Sequence, residues 1–414
     1  MNHRIDRHQW FVILSSVLGV AVSVIPVWII SFSVFIKPLG QTFGWGRGSI
    51  SLTLLVIALA IAAAMPVAGS MIDRLGTRTP MLVSLVLLSF GLAASPWIIT
   101  HAGIAGLYAA AIFAGIVGSP SSSIAYVKIL SAQFDAHRGL ALGFAMTGIA
   151  LGGATVPLAA ASLIARYGWQ SGFFAMAALP LVIGLPIALS LPHTSRATAT
   201  KREWSSTAGE ILVGGSSVRE AVRNPTFLLL VVIFLLDAMS VHGVQLHVAP
   251  LLSDRGLSPQ ASAAGLSYLF AISALTRLLS GYLFDRVFAP RVGAACFAAS
   301  AVGMLLLIAP VASATTMLGV ALIGVGAGAE SDLLGYLVSR YYGLRAFGQI
   351  YGWVFAGYLV GSALGPYLIG VAFDALNGYG RALAVSAATL GIVTLLLLVL
   401  PRFRASDSGL PTNV

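Results

Sequence analysis

Long apolar runs separated by short polar hinges dominate this sequence. A helix needs about 20 apolar residues to cross the hydrocarbon of a bilayer, and twelve runs of the 414-residue chain are long enough. Only 9% of the residues are charged, whereas a soluble domain usually has about 25%. We therefore predict an all-α membrane protein with spans at about 11–36, 49–72, 79–100, 104–131, 139–164, 168–191, 226–251, 258–284, 292–312, 315–340, 347–372 and 380–400.

The net charge of +10 reflects topology and not an acidic partner. If both termini are cytoplasmic, most of the 23 Lys and Arg residues lie on the cytoplasmic side, as the positive-inside rule requires. We expect no nucleic-acid partner, and a monomer surrounded by lipid in a bacterial inner membrane. The first run is too long for a signal-peptide core, and the single Cys296 excludes an internal disulfide.

The chain divides into two similar halves. We predict an N-terminal six-helix bundle over 1–192, a cytoplasmic linker over 193–224 with a short surface helix near its end, and a C-terminal six-helix bundle over 225–414. A charged hinge occurs once in each half, and a glycine pattern repeats at a constant offset of 209 residues (352 − 143). The repeated positions are Gly69, Asp73 and Arg74 with Gly281, Asp285 and Arg286, and Gly143, Gly148, Gly152 and Pro157 with Gly352, Gly357, Gly361 and Pro366.

The first hinge resembles the loop between helices two and three of the major facilitator superfamily, G-x-x-x-D-R-x-G-x-R. Its residues here are Gly69, Asp73, Arg74, Gly76 and Arg78. The resemblance covers essentially the whole chain and implies two pseudo-symmetric bundles joined by a conformational latch. In that latch Asp73 can accept hydrogen bonds from a neighbouring helix N-terminus, and Asp285 and Arg286 form the second copy. The alternative is that the arginines only set topology.

Seven ionisable residues lie within the predicted spans. Each costs about 2.5–3.5 kcal/mol on insertion scales, and such residues mark functional sites. In the superfamily that the hinge resembles, helices one, four, seven and ten line the central cavity, and six of the seven lie on helices four, seven and ten. The seven are Lys128, Asp237, His242, His247, Arg277, Glu330 and Asp332.

Arg277 and Gly281 form an R-x-x-x-G pattern that resembles helix eight of the monocarboxylate transporter family. The segment 34–51 likewise resembles the first loop of monocarboxylate and oxalate–formate carriers. The resemblance implies that Arg277 binds a substrate carboxylate, which a guanidinium can hold through two parallel hydrogen bonds. The alternative is a salt bridge to Asp237 or Glu330. The chain departs from the family in having no Lys in 11–36, and Ser273 where those carriers have Asp.

Other residues are candidates for substrate contact or proton coupling. Lys128 is either a second substrate cation or a partner for an acid, Glu330 being the natural choice. Glu330 and Asp332 are about 200° apart on a helix, and we prefer Glu330 as the cavity group. His247 either relays protons or is a satisfied hydrogen-bond donor near the outer mouth. The substrate candidates are Arg277, Lys128, Ser273, Tyr126, Trp28 and Phe32, and the proton-coupling candidates are Asp237, Glu330, His247 and Asp332.

The pattern predicts a secondary active transporter for a small organic monocarboxylate, working by alternating access and coupled to protons. No nucleotide fingerprint or nucleophile elbow is present, so we expect neither an enzyme nor a cofactor. We also expect no metal, because His242 and His247 lack the i, i+4 spacing of a zinc pair. The alternative is exchange-type efflux of drugs or sugars, since Gly139, Gly148 and Gly152 resemble part of an antiporter motif. A non-transporting membrane sensor is a third reading.

Overall fold

The computed structural model describes residues 6–134, 137–192, 215–257, 259–308, 313–376 and 378–403. Eleven helices in this part of the chain are long and apolar enough to cross a membrane. Helices form because hydrocarbon offers the backbone no hydrogen-bond partners, so each span must satisfy its own N–H and C=O groups. Most of the predicted linker, 193–214, lies outside the described residues.

One helical stretch, Arg78–Gln133, is 56 residues long and contains two predicted spans. Gly103 interrupts it with φ 60° and ψ −142°, a backbone conformation that favours glycine. Contacts between the two sides of Gly103 show that the chain reverses there. The Ser84 hydroxyl donates to the Val117 carbonyl at 2.5 Å and lies 2.9 Å from the Ser121 hydroxyl. The eleven helices therefore provide the twelve predicted spans.

The first half contains α1 to α6. They are α1 (Arg7–Phe43), α2 (Arg47–Leu75), α3 (78–102), α4 (104–133), α5 (Arg138–Tyr167) and α6 (Trp169–Ser190). The second half contains α7 (Pro225–Asp254), α8 (Pro259–Phe284), α9 (Ala289–Leu306), α10 (Ser313–Tyr342), α11 (Phe347–Leu376) and α12 (Gly380–Val399). The predicted surface helix before α7 is present at Val218–Arg223 and is capped by Ser217.

The repeated glycines make equivalent contacts in the two halves. Gly152 of α5 abuts the α1 backbone at Ala21, and its counterpart Gly361 of α11 abuts the α7 backbone at Leu235. Nearer the other end of the same helices, Gly143 lies against the backbone of Arg277 in α8, and Gly352 lies against that of Met65 in α2. Small residues allow helix backbones to approach this closely. The glycine repeat therefore builds α5 and α11 into the same position of each half.

Three spans contain an irregular segment within the described residues, and that of α6 is the π-helical Pro180–Gly184. In α1 a π-helical segment, Ile25–Ile30, begins beside Pro26 and is followed by the 3₁₀ segment Ser31–Phe35. In α4 the segment Ser119–Ser121 is 3₁₀-helical, and a regular helix resumes at Ser123–Gln133. A proline lacks a backbone N–H and clashes with the preceding turn, so Pro120 interrupts α4. The irregularities of α1 and α4 change which side chains face the neighbouring helices.

Candidate functional site

The two charged hinges join the halves at one end of the bundle, here called the latch end. Asp73 accepts hydrogen bonds at 2.9 Å from the backbone N–H groups of Gly348 and Gln349, at the start of α11. The first N–H groups of a helix have no partner within it and carry partial positive charge, so they favour a carboxylate. The expectation that Asp73 binds a neighbouring helix N-terminus is thus met.

The second hinge makes the same contact in the opposite direction. Asp285 accepts hydrogen bonds from the N–H groups of Gly139, at 2.8 Å, and Leu140, at 3.1 Å, at the start of α5. Burial raises the pKa of the Asp285 carboxyl, and the two N–H groups act against that rise. Gly69 and Gly281 lie in direct backbone contact with Gly348 and Gly139. Both aspartates therefore bind the facing half, and the two halves are in direct contact at this end.

The basic residues of the hinges act in different ways. The Arg78 guanidinium donates to the Leu189 carbonyl at 3.1 Å, and the Arg286 guanidinium stacks over the Tyr282 ring at 3.6 Å. Arg74 is exposed. Gly76 has φ 81°, a backbone conformation that glycine adopts without strain, and it ends α2. These side chains support their own half and leave the two aspartates to bridge the halves.

Lys128 belongs to the first latch in this structure. Its ammonium forms a salt bridge with Asp73 at 2.6 Å and donates to the Ile72 carbonyl at 3.1 Å. The expectation that Lys128 pairs with Glu330 is therefore wrong. The two residues lie at different levels of the bundle, because Lys128 is on the last segment of α4, near the latch end. Its role as a substrate cation stays a prediction.

Arg277 is paired with an acid, but not with either acid that the sequence suggested. Its Nη1 donates to the Asp332 carboxylate at 3.0 Å and to the Ser331 hydroxyl at 2.9 Å. The expected alternative partners, Asp237 and Glu330, do not form this salt bridge. Among the described residues, Nη2 and Nε of Arg277 have no hydrogen-bond acceptor. The Arg277 side chain is 12% exposed, so the guanidinium is not completely enclosed.

A second polar group lies beside Arg277, formed by His242, Glu330 and Tyr358. Glu330 Oε1 lies 3.0 Å from His242 Nε2 and accepts from the Tyr358 hydroxyl at 2.9 Å. The same His242 nitrogen lies 2.8 Å from that hydroxyl, which closes a triangle. The His242 side chain is 26% exposed, whereas that of Glu330 is 4% exposed. His242 was not among the substrate or proton-coupling candidates from the sequence, and the structure places it beside Glu330.

Asp237 of α7 is fully buried, at 0% exposure. Neither carboxylate oxygen has a hydrogen-bond partner among the described residues, and the neighbouring charge is that of Glu330. Asp332 likewise has one oxygen, Oδ2, without a partner in this part of the chain. An unpaired ionised carboxylate is costly to bury, and such groups are neutralised instead. The arrangement therefore favours a proton on Asp237.

His247 lies apart from these groups. Its Nε2 lies 3.0 Å from the Pro366 carbonyl, and its Nδ1 lies 3.4 Å from the Tyr379 hydroxyl. The histidine is thus satisfied between α7, α11 and the start of α12, which agrees with its alternative reading as a bonded side chain. Ser273 is buried where α8 packs against Gly328 of α10, one turn from Arg277.

The three aromatic candidates are buried within the first half. Trp28 stacks on Phe32, with ring centroids 6.4 Å apart, and contacts Phe173 of α6 edge-on at 5.7 Å. The Tyr126 hydroxyl lies against Gly19 of α1. These contacts place the rings in the core of their own bundle and not beside Arg277. Their contact with substrate stays a prediction.

Sequence reasoning missed His242, Tyr358 and Ser331. The sequence did contain a signal for His242, which is one of the seven ionisable residues within the predicted spans. Tyr358 and Ser331 are uncharged and gave no signal of their own. Which of them reach Glu330 and Arg277 depends on helix rotation, and a single sequence does not specify that rotation.

Comparison with known proteins agrees with this architecture. A family model described as Major Facilitator Superfamily matches residues 16–366. Among solved structures, the proton:xylose symporter XylE superimposes with a TM-score of 0.75 at 14% identity, covering 95% of this chain and 96% of that one. At this identity the likeness shows the fold alone.

Two curated relatives are similar over most of their length. An uncharacterised MFS-type transporter, YhjX, of Escherichia coli (strain K12) is 24% identical over 365 residues, 86% of each chain. Monocarboxylate transporter 13 of Bos taurus is 25% identical over 349 residues, 82% of this chain and 77% of its own.

Proposed function

The chain belongs to the major facilitator superfamily, and on that premise we propose that it carries a small organic monocarboxylate, together with a proton, by alternating access. Family and fold place it among integral membrane transporters, which are not enzymes. Similarity to proteins named monocarboxylate transporters supports the substrate class. The comparisons do not favour the efflux alternative. We further propose that the latch end faces the cytoplasm of a bacterial inner membrane, because most Lys and Arg residues lie there.

The half-used guanidinium of Arg277 carries this proposal. Asp332 and Ser331 occupy only Nη1, and a carboxylate can bind Nη2 and Nε through two parallel hydrogen bonds. Arg277 would then hold the substrate carboxylate on one edge and Asp332 on the other. One guanidinium with one free edge suits a monocarboxylate better than a dicarboxylate.

The position of Arg277 connects this site to the moving parts. Gly143 of α5 packs on the backbone of Arg277, and roughly one turn nearer the latch end Gly139 packs on Gly281. Asp285, eight residues after Arg277 (285 − 277), accepts a hydrogen bond from Gly139. Alternating access requires this α5–α8 contact to separate when the latch end opens. The substrate ligand therefore lies on the helix that moves against the first half. We propose that release at the latch end follows the separation of this contact.

The test is transport by purified protein in liposomes. We would measure uptake and counterflow of labelled L-lactate, pyruvate and formate, after a thermal-shift screen of carboxylic acids. Arg277→Ala should lower affinity at least about 30-fold, since truncating one partner of a buried charge pair costs about 2–5 kcal/mol. Arg277→Lys should retain part of it, because the ammonium keeps the charge but not the fork.

Arg381→Ala is the matched control, since Arg381 is exposed at the start of α12. It should transport as the wild type does. Unchanged affinity in both Arg277 variants would remove Arg277 from the site. Transport of neutral or cationic compounds with no carboxylate transport would refute the proposed substrate class.

A further inference from the structure

The second half contains more acid than base around its midplane. Three carboxyl groups, on Asp237, Glu330 and Asp332, accompany a single guanidinium, on Arg277. Asp332 already neutralises Arg277 at 3.0 Å. A substrate carboxylate on the free edge of Arg277 would therefore add a charge that this guanidinium does not balance. Burying uncompensated charge is strongly unfavourable, so the loaded site requires a positive charge from another source.

The triangle of His242, Glu330 and Tyr358 has a position for that charge. Its three sides measure 2.8, 2.9 and 3.0 Å. With Glu330 ionised, His242 and Tyr358 each have one hydrogen to donate to Glu330 Oε1, and the remaining Oε2 has no partner among the described residues. Glu330 can therefore accept a proton at Oε2 without breaking either contact. His242 is the most exposed member of the triangle.

The charged and titratable groups near the triangle come from four helices. From α7 come His242 and the unpartnered Asp237, from α8 comes Arg277, from α10 come Glu330 and Asp332, and from α11 comes Tyr358. No cluster of three His, Cys, Asp or Glu residues in the described ranges has the geometry to hold a metal ion. The cation that this group of side chains can accommodate is a proton.

We propose that His242, Glu330, Tyr358 and Asp237 form the proton-binding site that couples transport to the pH gradient. A proton reaches Glu330 from the side of His242, whose Nε2 contacts Glu330 Oε1 and can pass it on there, and Asp237 is protonated in the resting state. The loaded carrier then holds one proton for one carboxylate, so the site gains no net charge during the swing. This inference rests on the proposed function, whose own test is the Arg277 series.

Transport assays separate coupling from substrate binding. Exchange of labelled for unlabelled L-lactate at equal pH needs no net proton movement, whereas uptake driven by an inward pH gradient does. Glu330→Gln should retain exchange within about threefold and lose the acceleration that the gradient gives the wild type, for which a difference of one pH unit supports about a tenfold gradient at one proton per acid. Rates are taken above protein-free liposomes.

An infrared measurement tests the site without any substrate. The protonated-carboxyl band of the wild type in lipid should lose intensity in Asp237→Asn, and its pH-dependent part should decrease in Glu330→Gln without vanishing, because burial also raises the pKa of Asp285. Asp254→Asn, at the exposed end of α7, is the matched control and should change neither. His242→Gln, which removes the relay but keeps a donor, should slow gradient-driven uptake more than it slows exchange.

The outcomes distinguish the two proposals. If the wild type moves none of the three acids, the proposed function fails, and the infrared bands still decide the proton site. If exchange occurs but Glu330→Gln remains fully pH-driven, or if a sodium gradient replaces the pH gradient, the proton site is refuted. Unchanged carboxyl bands in both Asp237→Asn and Glu330→Gln would also refute it. Size-exclusion profiles confirm that each variant is folded.

Discussion

The two halves are alike in the contacts of their charged hinges and unlike in the buried side chains of their spans. Each half presents an aspartate to the first N–H groups of a helix in the other half, and each uses glycine to bring the backbones together. At the midplane, by contrast, the first half is filled by aromatic rings around Trp28, whereas the second contains Arg277 and three buried acids. The interhalf contacts are thus duplicated, whereas the buried acids of the described residues all lie in the second half.

The largest difference between the halves is expected when each of the two intramembrane cations, Lys128 and Arg277, is removed in turn. Lys128→Ala should leave affinity for the transported acid within about threefold of wild type, because Lys128 is bound to Asp73 and not to the site. Arg277→Ala should lose at least about 30-fold. Both affinities are measured by thermal shift on purified protein. A larger loss in Lys128→Ala than in Arg277→Ala would place the substrate in the first half.

The latches provide the next test, because their glycines have no room for a side chain. Gly69→Val and Gly281→Val should each prevent closure, since a Cβ would overlap the facing backbone of Gly348 or Gly139. Pulsed electron resonance between spin labels on the exposed Leu75 and Val287, in a Cys296→Ser background, should show a longer distance. Gly391→Val, where the space is open, is the control. An unchanged distance in both latch variants would contradict the closed contact.

A smaller effect should distinguish the two aspartates. Asp73→Asn removes a charge that is held both by two N–H groups and by Lys128, so it should weaken closure more than Asp285→Asn, by about 1–3 kcal/mol. The populations of short and long distances between the same spin labels measure the difference. Equal populations in the two variants would show that Lys128 adds nothing to the first latch.

The second latch should also respond to pH. Burial raises the pKa of Asp285 when the latch is closed, so closing favours the protonated form. Its contribution to closure is therefore greatest at acidic pH and is lost as the pH rises through the raised pKa. Asp285→Asn should remove this dependence, measured as the closed fraction across a pH series. A pH response that persists unchanged in Asp285→Asn would assign it to another group.

The smallest effect is expected at Trp28. Trp28→Phe keeps a ring against Phe32 and Phe173, so it should cost roughly 1 kcal/mol of stability and leave KM within about twofold. Thermal unfolding and uptake assays measure the two quantities. A large rise in KM without loss of stability would restore Trp28 as a substrate contact and weaken the contrast between the halves.

The fold could be predicted from the sequence because its causes are local or repeated. Span length follows from bilayer thickness, and the offset of 209 residues places α5 and α11 in equivalent positions. The contact of Asp73 with a helix N-terminus also followed, since the first N–H groups of a helix favour a carboxylate. The gap between the predicted spans 79–100 and 104–131 also coincides with the turn at Gly103.

The pairing of the buried charges could not be predicted, because it depends on depth and rotation together. Lys128 was matched to Glu330 because α4 and α10 are equivalent helices of the two halves. It lies nearer the latch end, however, beside Asp73. Glu330 and Asp332 were treated as competitors for one cavity, yet each has its own partner, His242 and Arg277. The packing of Trp28 on Phe32 and Phe173 could not be predicted for a related reason, since the π-helical segment in α1 changes the direction of its side chains.

The interruption of α4 has a mechanical consequence. Its final segment, Ser123–Gln133, contains Lys128, and its Ser123 hydroxyl lies 3.3 Å from the Tyr351 hydroxyl of α11. A rod with a joint at Ser119–Ser121 can bend there, so this segment can tilt away from α11 while the part of α4 before the joint stays packed on α3. A rocking movement of two rigid bodies is then an incomplete description of this carrier, because α4 can change shape within its own half.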